Sequence, residues 1–152
     1  VIGWDASRLA MVIAVLETRC EITLSGSEIY LNVAGGLKIA EPAADLAVAA
    51  ALISSVTKQP LPPDTVFFGE IGLAGEIRSV PQVDTRINEA EKLGFTQAVI
   101  PKVTPSKLNK RYEEERKNSI NPDNPLNLVE ITHLSELVTK LVVTNVHNEN
   151  KK

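Results

Sequence analysis

The chain has 152 residues, of which 43% are hydrophobic, a length and composition typical of a single globular domain. Sixteen basic residues stand against nineteen acidic ones, so the formal net charge is -3 and no overall positive field attracts nucleic acid. No apolar run reaches the roughly 18 residues that a membrane span requires, so we expect no membrane partner. The single cysteine, Cys20, excludes an internal disulfide and favours a cytoplasmic location.

Two helices and a strand are predicted in the first part of the chain. Residues 5–19 carry apolar side chains at the spacing of one buried helix face, with Asp5 or Ser7 as the N-cap. Residues 28–33 alternate polar and apolar side chains, which predicts a half-buried strand. The Ala-rich stretch 43–56 is apolar on nearly all sides and predicts a largely buried helix. That helix either packs protomers together or serves only the internal core.

The middle of the chain alternates further strands and helices. Residues 66–78 hold two short strand-like runs around the glycines of 72–75, which predicts a hairpin or tight reversal. Residues 82–93 form an amphipathic pattern, with Gly94 as the residue that ends the helix. A strand follows at 96–100. This alternation predicts an α/β or α+β domain.

The last third of the chain changes in composition. We expect one more strand at 126–131 and a last helix at 135–143, followed by a polar, disordered tail at 144–152. The prediction is therefore one domain over residues 1–143, in which 102–126 is an insertion or variable segment.

The usual signatures of cofactor chemistry are missing from the sequence. No Gly-x-x-x-x-Gly-Lys-Ser/Thr loop is present to hold a triphosphate. The only histidines, His133 and His147, share no metal-ligand spacing with Cys20. We expect His133 to cap or flank the last helix and His147 to lie in the tail. We therefore predict neither a metal site nor a cofactor in this chain.

Five motifs follow one another in a register that resembles a known family. They are the segments 3–10 (Gly-Trp-Asp-Ala-Ser-Arg-Leu-Ala), 32–38 (Asn-Val-Ala-Gly-Gly-Leu-Lys), 41–47 (Glu-Pro-Ala-Ala-Asp-Leu-Ala), 68–78 (Phe-Gly-Glu-Ile-Gly-Leu-Ala-Gly-Glu-Ile-Arg) and 86–95 (Arg-Ile-Asn-Glu-Ala-Glu-Lys-Leu-Gly-Phe). Together they resemble the C-terminal Lon-protease-like domain of the bacterial RadA (Sms) family of DNA repair proteins. The resemblance covers about two thirds of the chain.

The resemblance implies an α+β fold, similar to Lon proteolytic domains and to domain 2 of ribosomal protein S5, with helices packed on a mixed β-sheet. Lon peptidases use a serine that is deprotonated by a lysine. In the register of the resemblance these two positions are occupied by Ala43 and Asp84, so it implies no catalytic residues and no peptidase activity. A Lon-like serine peptidase that uses another serine, such as Ser54, Ser55 or Ser79, is one alternative.

The family implies a non-catalytic domain of a DNA repair ATPase and branch-migration helicase, which serves DNA binding and hexamer assembly in recombinational repair. Its partners would be single-stranded or branched DNA, further copies of itself, and a RecA-type recombinase. ATP, magnesium and zinc are implied for other domains of the longer protein, not for this one. A further alternative is the Lon-like module of a ComM-type, Mg-chelatase-like helicase.

Four basic residues within the family-like motifs are the predicted DNA contacts: Arg8, Lys38, Arg78 and Arg86. For each, the alternative is an ordinary solvated charge or an ion-pair partner. A rival patch comprises Lys107, Lys110, Arg111, Arg116 and Lys117. Because the acidic run 113–115 interrupts it, we interpret 107–118 as an exposed helix with salt bridges.

Overall fold

A computed structural model describes residues 1–103 and 125–149 of the chain, with side chains described as far as Leu141. Its helices are α1 (Ala6–Cys20), α2 (Asp45–Thr57), α3 (Val83–Lys92) and α4 (Leu134–Glu149). Its strands are β1 (Thr65–Phe67), β2 (Glu70–Ile71), β3 (Ile77–Arg78), β4 (Gln97–Pro101) and β5 (Asn127–Ile131). The predicted helix 107–118, its basic patch and most of the predicted insertion lie outside the described residues.

The strands form two sheets, which confirms the α+β class. β1, β4 and β5 make a parallel sheet in that order, and β2 pairs antiparallel with β3 as a ribbon. The ribbon is the predicted hairpin, but the first residues of the predicted range 66–78 lie in β1 instead. The two sheets are separate because Gly69 bonds elsewhere: its N–H donates to Ala43 and its carbonyl accepts from Leu46. The chain therefore leaves the parallel sheet at Gly69 before the ribbon begins.

Two apolar clusters lie on either side of the parallel sheet. Alternate residues of β4 point into different clusters: Val99 into one, Ala98 and Ile100 into the other. Parallel strands are typically buried on both faces in this way. Most of α2 is buried within the chain itself, which is the predicted role in the internal core. Ala51 and Ser55 on the same helix stay exposed.

The predicted strand at 28–33 is wrong. Its burial alternates as expected, and Tyr30 is exposed. Its ladder, however, is a single parallel bridge, in which Ile2 donates to Leu31 and accepts from Val33. A strand requires a neighbouring strand to take its backbone groups, and among the described residues only Ile2 lies in that position.

The predicted end of the last helix is also wrong. α4 continues to Glu149, so the predicted disordered tail is helical from residue 144 to residue 149. The sequence from Leu134 to Glu149 contains neither proline nor glycine, so no residue interrupts the backbone hydrogen bonding of the helix. Polar side chains alone do not end a helix.

The start of α4 is capped as predicted for His133. The Nδ1 atom of His133 accepts from the Ser135 amide at 3.1 Å, and Glu136 accepts from the His133 amide at 3.0 Å. Glu136 also accepts from the hydroxyl and amide of Thr132, and these bonds lower its pKa. The two bonds between residues 133–136 satisfy amides that a helix start leaves unpaired.

The other predicted caps are confirmed as well. Asp5 accepts from the Arg8 amide at 2.7 Å at the start of α1. Gly94 has a φ of +88°, and the amides of Gly94 and Phe95 donate back into the last turn of α3. This is the arrangement that favours glycine after a helix.

Candidate nucleic-acid interface

An ion pair between half-buried Arg8 and buried Asp45 joins the first two helices. Asp45, the first residue of α2, is fully buried, and it accepts from Arg8 Nε at 2.5 Å and Arg8 Nη2 at 2.6 Å. Its Oδ2 atom also accepts from the Ile71 amide at 3.0 Å. Because a carboxylate in the first turn of a helix interacts favourably with the helix dipole, the position suits an acid. The contacts tie α1, α2 and the β2–β3 ribbon together.

The ion pair changes the interpretation of Arg8. Its side chain is only 27% exposed, and the hydrogen bond to Asp45 raises the pKa of the guanidinium. A two-bond contact between arginine and carboxylate is among the stronger polar contacts in proteins. Arg8 is therefore first a partner of Asp45, and its remaining exposed surface is what a phosphate would contact.

Arg78, the second predicted DNA contact, lies on the same side as Arg8. Glu70 stands between them: its Oε1 atom is 3.6 Å from Arg8 Nη2, and it is paired with Arg78 across the ribbon. Arg78 itself donates to Glu76 Oε1, at 2.6 Å from Nη2 and 3.0 Å from Nε. We call Arg8, Glu70, Glu76 and Arg78 the arginine face.

Carboxylates outnumber guanidinium groups around the arginine face. With Asp45 beneath it, Arg8 and Arg78 stand against three acids. Hydrogen bonds from its own amide and from Arg78 lower the pKa of Glu76, so this acid stays charged. The positive potential that a phosphate would meet there is consequently weaker than the two arginines alone would give.

The remaining two predicted contacts lie outside the arginine face. Arg86 on α3 forms an ion pair with Glu41, donates to the Pro81 carbonyl, and holds its guanidinium 5.9 Å from the centre of the Phe68 ring. Lys38 is exposed on the loop after residues 34–36 and forms no ion pair within the described part of the chain. Lys38 thus presents the least compensated charge of the four.

The resemblance assigns Ala43 and Asp84 to the two positions of a Lon dyad, and the structure shows the surroundings of each. Ala43 is 4% exposed and packs with Phe68 and Ile87. Asp84 lies in the first turn of α3, one turn before Ile87, and its Oδ1 atom is buried with no hydrogen-bond partner among the described residues. The side chain at position 43 is thus a buried methyl group, and that at position 84 is a carboxylate with one buried oxygen.

Sequence reasoning missed the acids that surround Arg8 and Arg78. Asp45 was visible as one acid at the start of an otherwise apolar helix, a pattern that indicates a cap or a buried ion pair. Glu70 and Glu76 flank the hairpin, and only the strand register brings Glu70 opposite Arg78. Neither the contact to Arg8 nor that register is readable from sequence spacing.

The described residues contain neither a candidate metal site nor a membrane-spanning helix. Within residues 1–103 and 125–149 no group of three or more His, Cys, Asp or Glu side chains could hold a metal ion. No helix in the same ranges is long and apolar enough to cross a bilayer.

Comparison with known proteins identifies relatives for most of the chain. The family model described as subunit ChlI of Mg-chelatase matches residues 7–104. The chain is 57% identical over 101 residues to the DNA repair protein RadA of Brucella abortus, which is 66% of this chain and 22% of that protein. It is 58% identical over 102 residues to the RadA of Rickettsia prowazekii, 67% of this chain and 23% of that one.

A relative with lower identity is also named DNA repair protein RadA. The chain is 52% identical over 100 residues to the DNA repair protein RadA of Streptococcus pyogenes serotype M3, which is 66% of this chain and 22% of that protein. The chain thus spans less than a quarter of the length of these curated relatives.

Proposed function

The chain belongs to the family of subunit ChlI of Mg-chelatase, and from that premise we propose that it is a non-catalytic, Lon-like, DNA-binding domain of a RadA-type repair protein. Relatives that share more than half of their aligned residues with it are named DNA repair protein RadA. The observation that carries the proposal is the buried methyl group of Ala43, at the position to which the sequence resemblance assigns the Lon nucleophile.

Several parts of the proposal concern the longer protein. We infer a cytoplasmic hexamer that works on branched DNA beside a RecA-type recombinase, in which this domain helps to assemble the ring. ATP, magnesium and zinc belong to other domains of that protein, because this chain contains no P-loop and a single cysteine. The exposed strip of α2 around Ala51 and Ser55 is available for contacts between protomers.

The absence of peptidase activity is the first testable part. A serine peptidase needs a hydroxyl within hydrogen-bond reach of a base. Ser54 on α2 is one of the alternative serines, and its hydroxyl donates to the backbone carbonyl of Gln59 at 2.7 Å. A carbonyl oxygen accepts a hydrogen bond but does not take up the proton, so Ser54 has no general base in this contact.

We therefore expect a fluorophosphonate probe, which labels activated serines, to leave the chain unmodified. Intact-protein mass spectrometry measures the result, with an active Lon peptidase as the positive control. The same chain carrying Ala43→Ser is expected to remain unlabelled, because position 43 is buried and no lysine stands at 84. Stoichiometric labelling of the unaltered chain at any one serine would contradict the proposal.

DNA binding is the second testable part. Contacts to phosphates release counterions, so affinity falls linearly with salt on a logarithmic scale. Lys38 contributes the least compensated charge, since Arg8, Arg78 and Arg86 are each paired with an acid. We expect Lys38→Ala to weaken binding and to reduce the salt slope by about 0.7, the value for one phosphate contact on a single strand.

Fluorescence anisotropy with a labelled oligodeoxythymidine strand, between about 50 mM and about 200 mM salt, measures this slope. The matched control is Lys102→Ala, which removes an exposed lysine just after β4. An equal loss in both variants would reveal a nonspecific effect of net charge and would contradict the role of Lys38. Absence of binding by the unaltered chain at low salt would overturn the DNA-binding function itself.

The family model favours one second candidate, the Lon-like module of a Mg-chelatase-like helicase of ComM type. That module would be equally inactive as a peptidase, so the tests above do not separate the two. The residues encoded directly upstream do separate them. A RecA-like ATPase with a four-cysteine finger at that place supports the RadA type, and any other ATPase supports the alternative.

A further inference from the structure

Glu70 occupies a central place in the arginine face. It lies in β2, and its carboxylate is one-third exposed, 3.6 Å from the Arg8 guanidinium and directly across the ribbon from Arg78. Each arginine already donates hydrogen bonds to another acid, Arg8 to Asp45 and Arg78 to Glu76. Glu70 is therefore not needed to neutralise either arginine.

The three acids differ in what they do for the fold. Asp45 is fully buried and also accepts from the Ile71 amide. Glu76 accepts from the Ala74 amide in the ribbon turn. Glu70 makes its described side-chain contact with Arg8 alone, at a distance that leaves it a loose ion pair. Its main physical effect is consequently the negative charge that it adds between two candidate phosphate contacts.

We propose that Glu70 limits the affinity of the arginine face for DNA phosphates, by placing a carboxylate between Arg8 and Arg78. The proposal rests on the DNA-binding function argued above, and it assigns a residue that restrains binding rather than one that makes it. A phosphate that approaches either guanidinium meets the repulsion of Glu70 at short range, where salt screens the interaction least.

The test is Glu70→Gln, which keeps the size of the side chain and removes its charge. We expect it to tighten binding of the labelled oligodeoxythymidine strand by about threefold to tenfold near 0.1 M salt. The control is Glu21→Gln, which changes the net charge identically at the other end of α1. Glu21 lies thirteen residues beyond Arg8, about 20 Å along the helix axis. Its effect should be less than twofold.

The outcomes separate this inference from the proposed function. Equal tightening by both variants, or no change in Glu70→Gln, would overturn the role of Glu70 while the chain still binds DNA. No binding by the unaltered chain or by either variant would overturn DNA binding itself. Circular dichroism and urea unfolding of Glu70→Gln should match the unaltered chain, since the carboxylate has no other described partner.

Discussion

Replacement of Arg8 by alanine is expected to destabilise the chain by about 3–5 kcal/mol, the usual consequence of leaving a buried carboxylate without its cation. Asp45 is fully buried, and Arg8 supplies two of its three described hydrogen bonds. In Arg8→Ala the carboxylate remains buried with only the Ile71 amide as a donor. The protein must then expose it, protonate it or unfold.

Urea unfolding followed by circular dichroism measures the loss. Arg78→Ala is the control, because Arg78 also binds a carboxylate but is more than half exposed, so its removal should cost far less. The double variant Arg8→Met with Asp45→Asn removes the buried charge and keeps an oxygen for the Ile71 amide. It should be more stable than Arg8→Ala, and an equal or lower stability would contradict this account.

The same pair determines how DNA binding must be tested. A loss of DNA binding in Arg8→Ala would not identify a phosphate contact, because partial unfolding of the domain would by itself abolish binding. Lys38 and Glu70 are better probes, because neither leaves a buried charge uncompensated when it is replaced. Lys38 forms no ion pair among the described residues, and Glu70 forms only a loose one with half-buried Arg8. The residue that the sequence presented as a surface contact is thus primarily a structural one.

The sequence was a sound guide wherever local chemistry determines structure. Asp5 and His133 cap the starts of α1 and α4, as predicted, and Gly94 ends α3. The glycines of 72–75 form the turn of the ribbon. Each of these residues acts on its neighbours in the chain. The segment 28–33 failed because alternation describes which side chains are buried, and says nothing of whether another strand is present to pair.

The candidate site was predictable only in part. Charge and motif singled out Arg8 and Arg78, and the ribbon register then placed them around Glu70. Which acid neutralises which arginine depends on contacts between residues far apart in sequence, such as the 37 positions from Arg8 to Asp45. Periodicity carries no information at that range, so the compensation of the positive charge was not foreseeable.

The other large effect is expected for Gly3→Ala. Gly3 has a φ of +84°, and an added Cβ would lie 2.5 Å from the Leu37 carbonyl oxygen and 2.7 Å from Val33 Cβ. The Gly3 carbonyl also accepts from the Ile39 amide at 2.8 Å. Alanine at this place must therefore force residue 3 and the segment 33–39 apart, and that segment carries Lys38. We expect Gly3→Ala to lower both the free energy of unfolding and the affinity for DNA.

Gly26→Ala is the control, because its difference from Gly3→Ala measures the steric part of the effect. Gly26 has nearly the same φ, +82°, yet an added Cβ would meet nothing within 4 Å. The left-handed conformation alone costs alanine about 1–2 kcal/mol, so both variants carry that loss in urea unfolding and only Gly3→Ala adds the clash. Hydrogen exchange of the Ile39 amide should accelerate in Gly3→Ala alone. Equal destabilisation of both variants, with Ile39 still protected, would mean that the segment 33–39 is not held by Gly3.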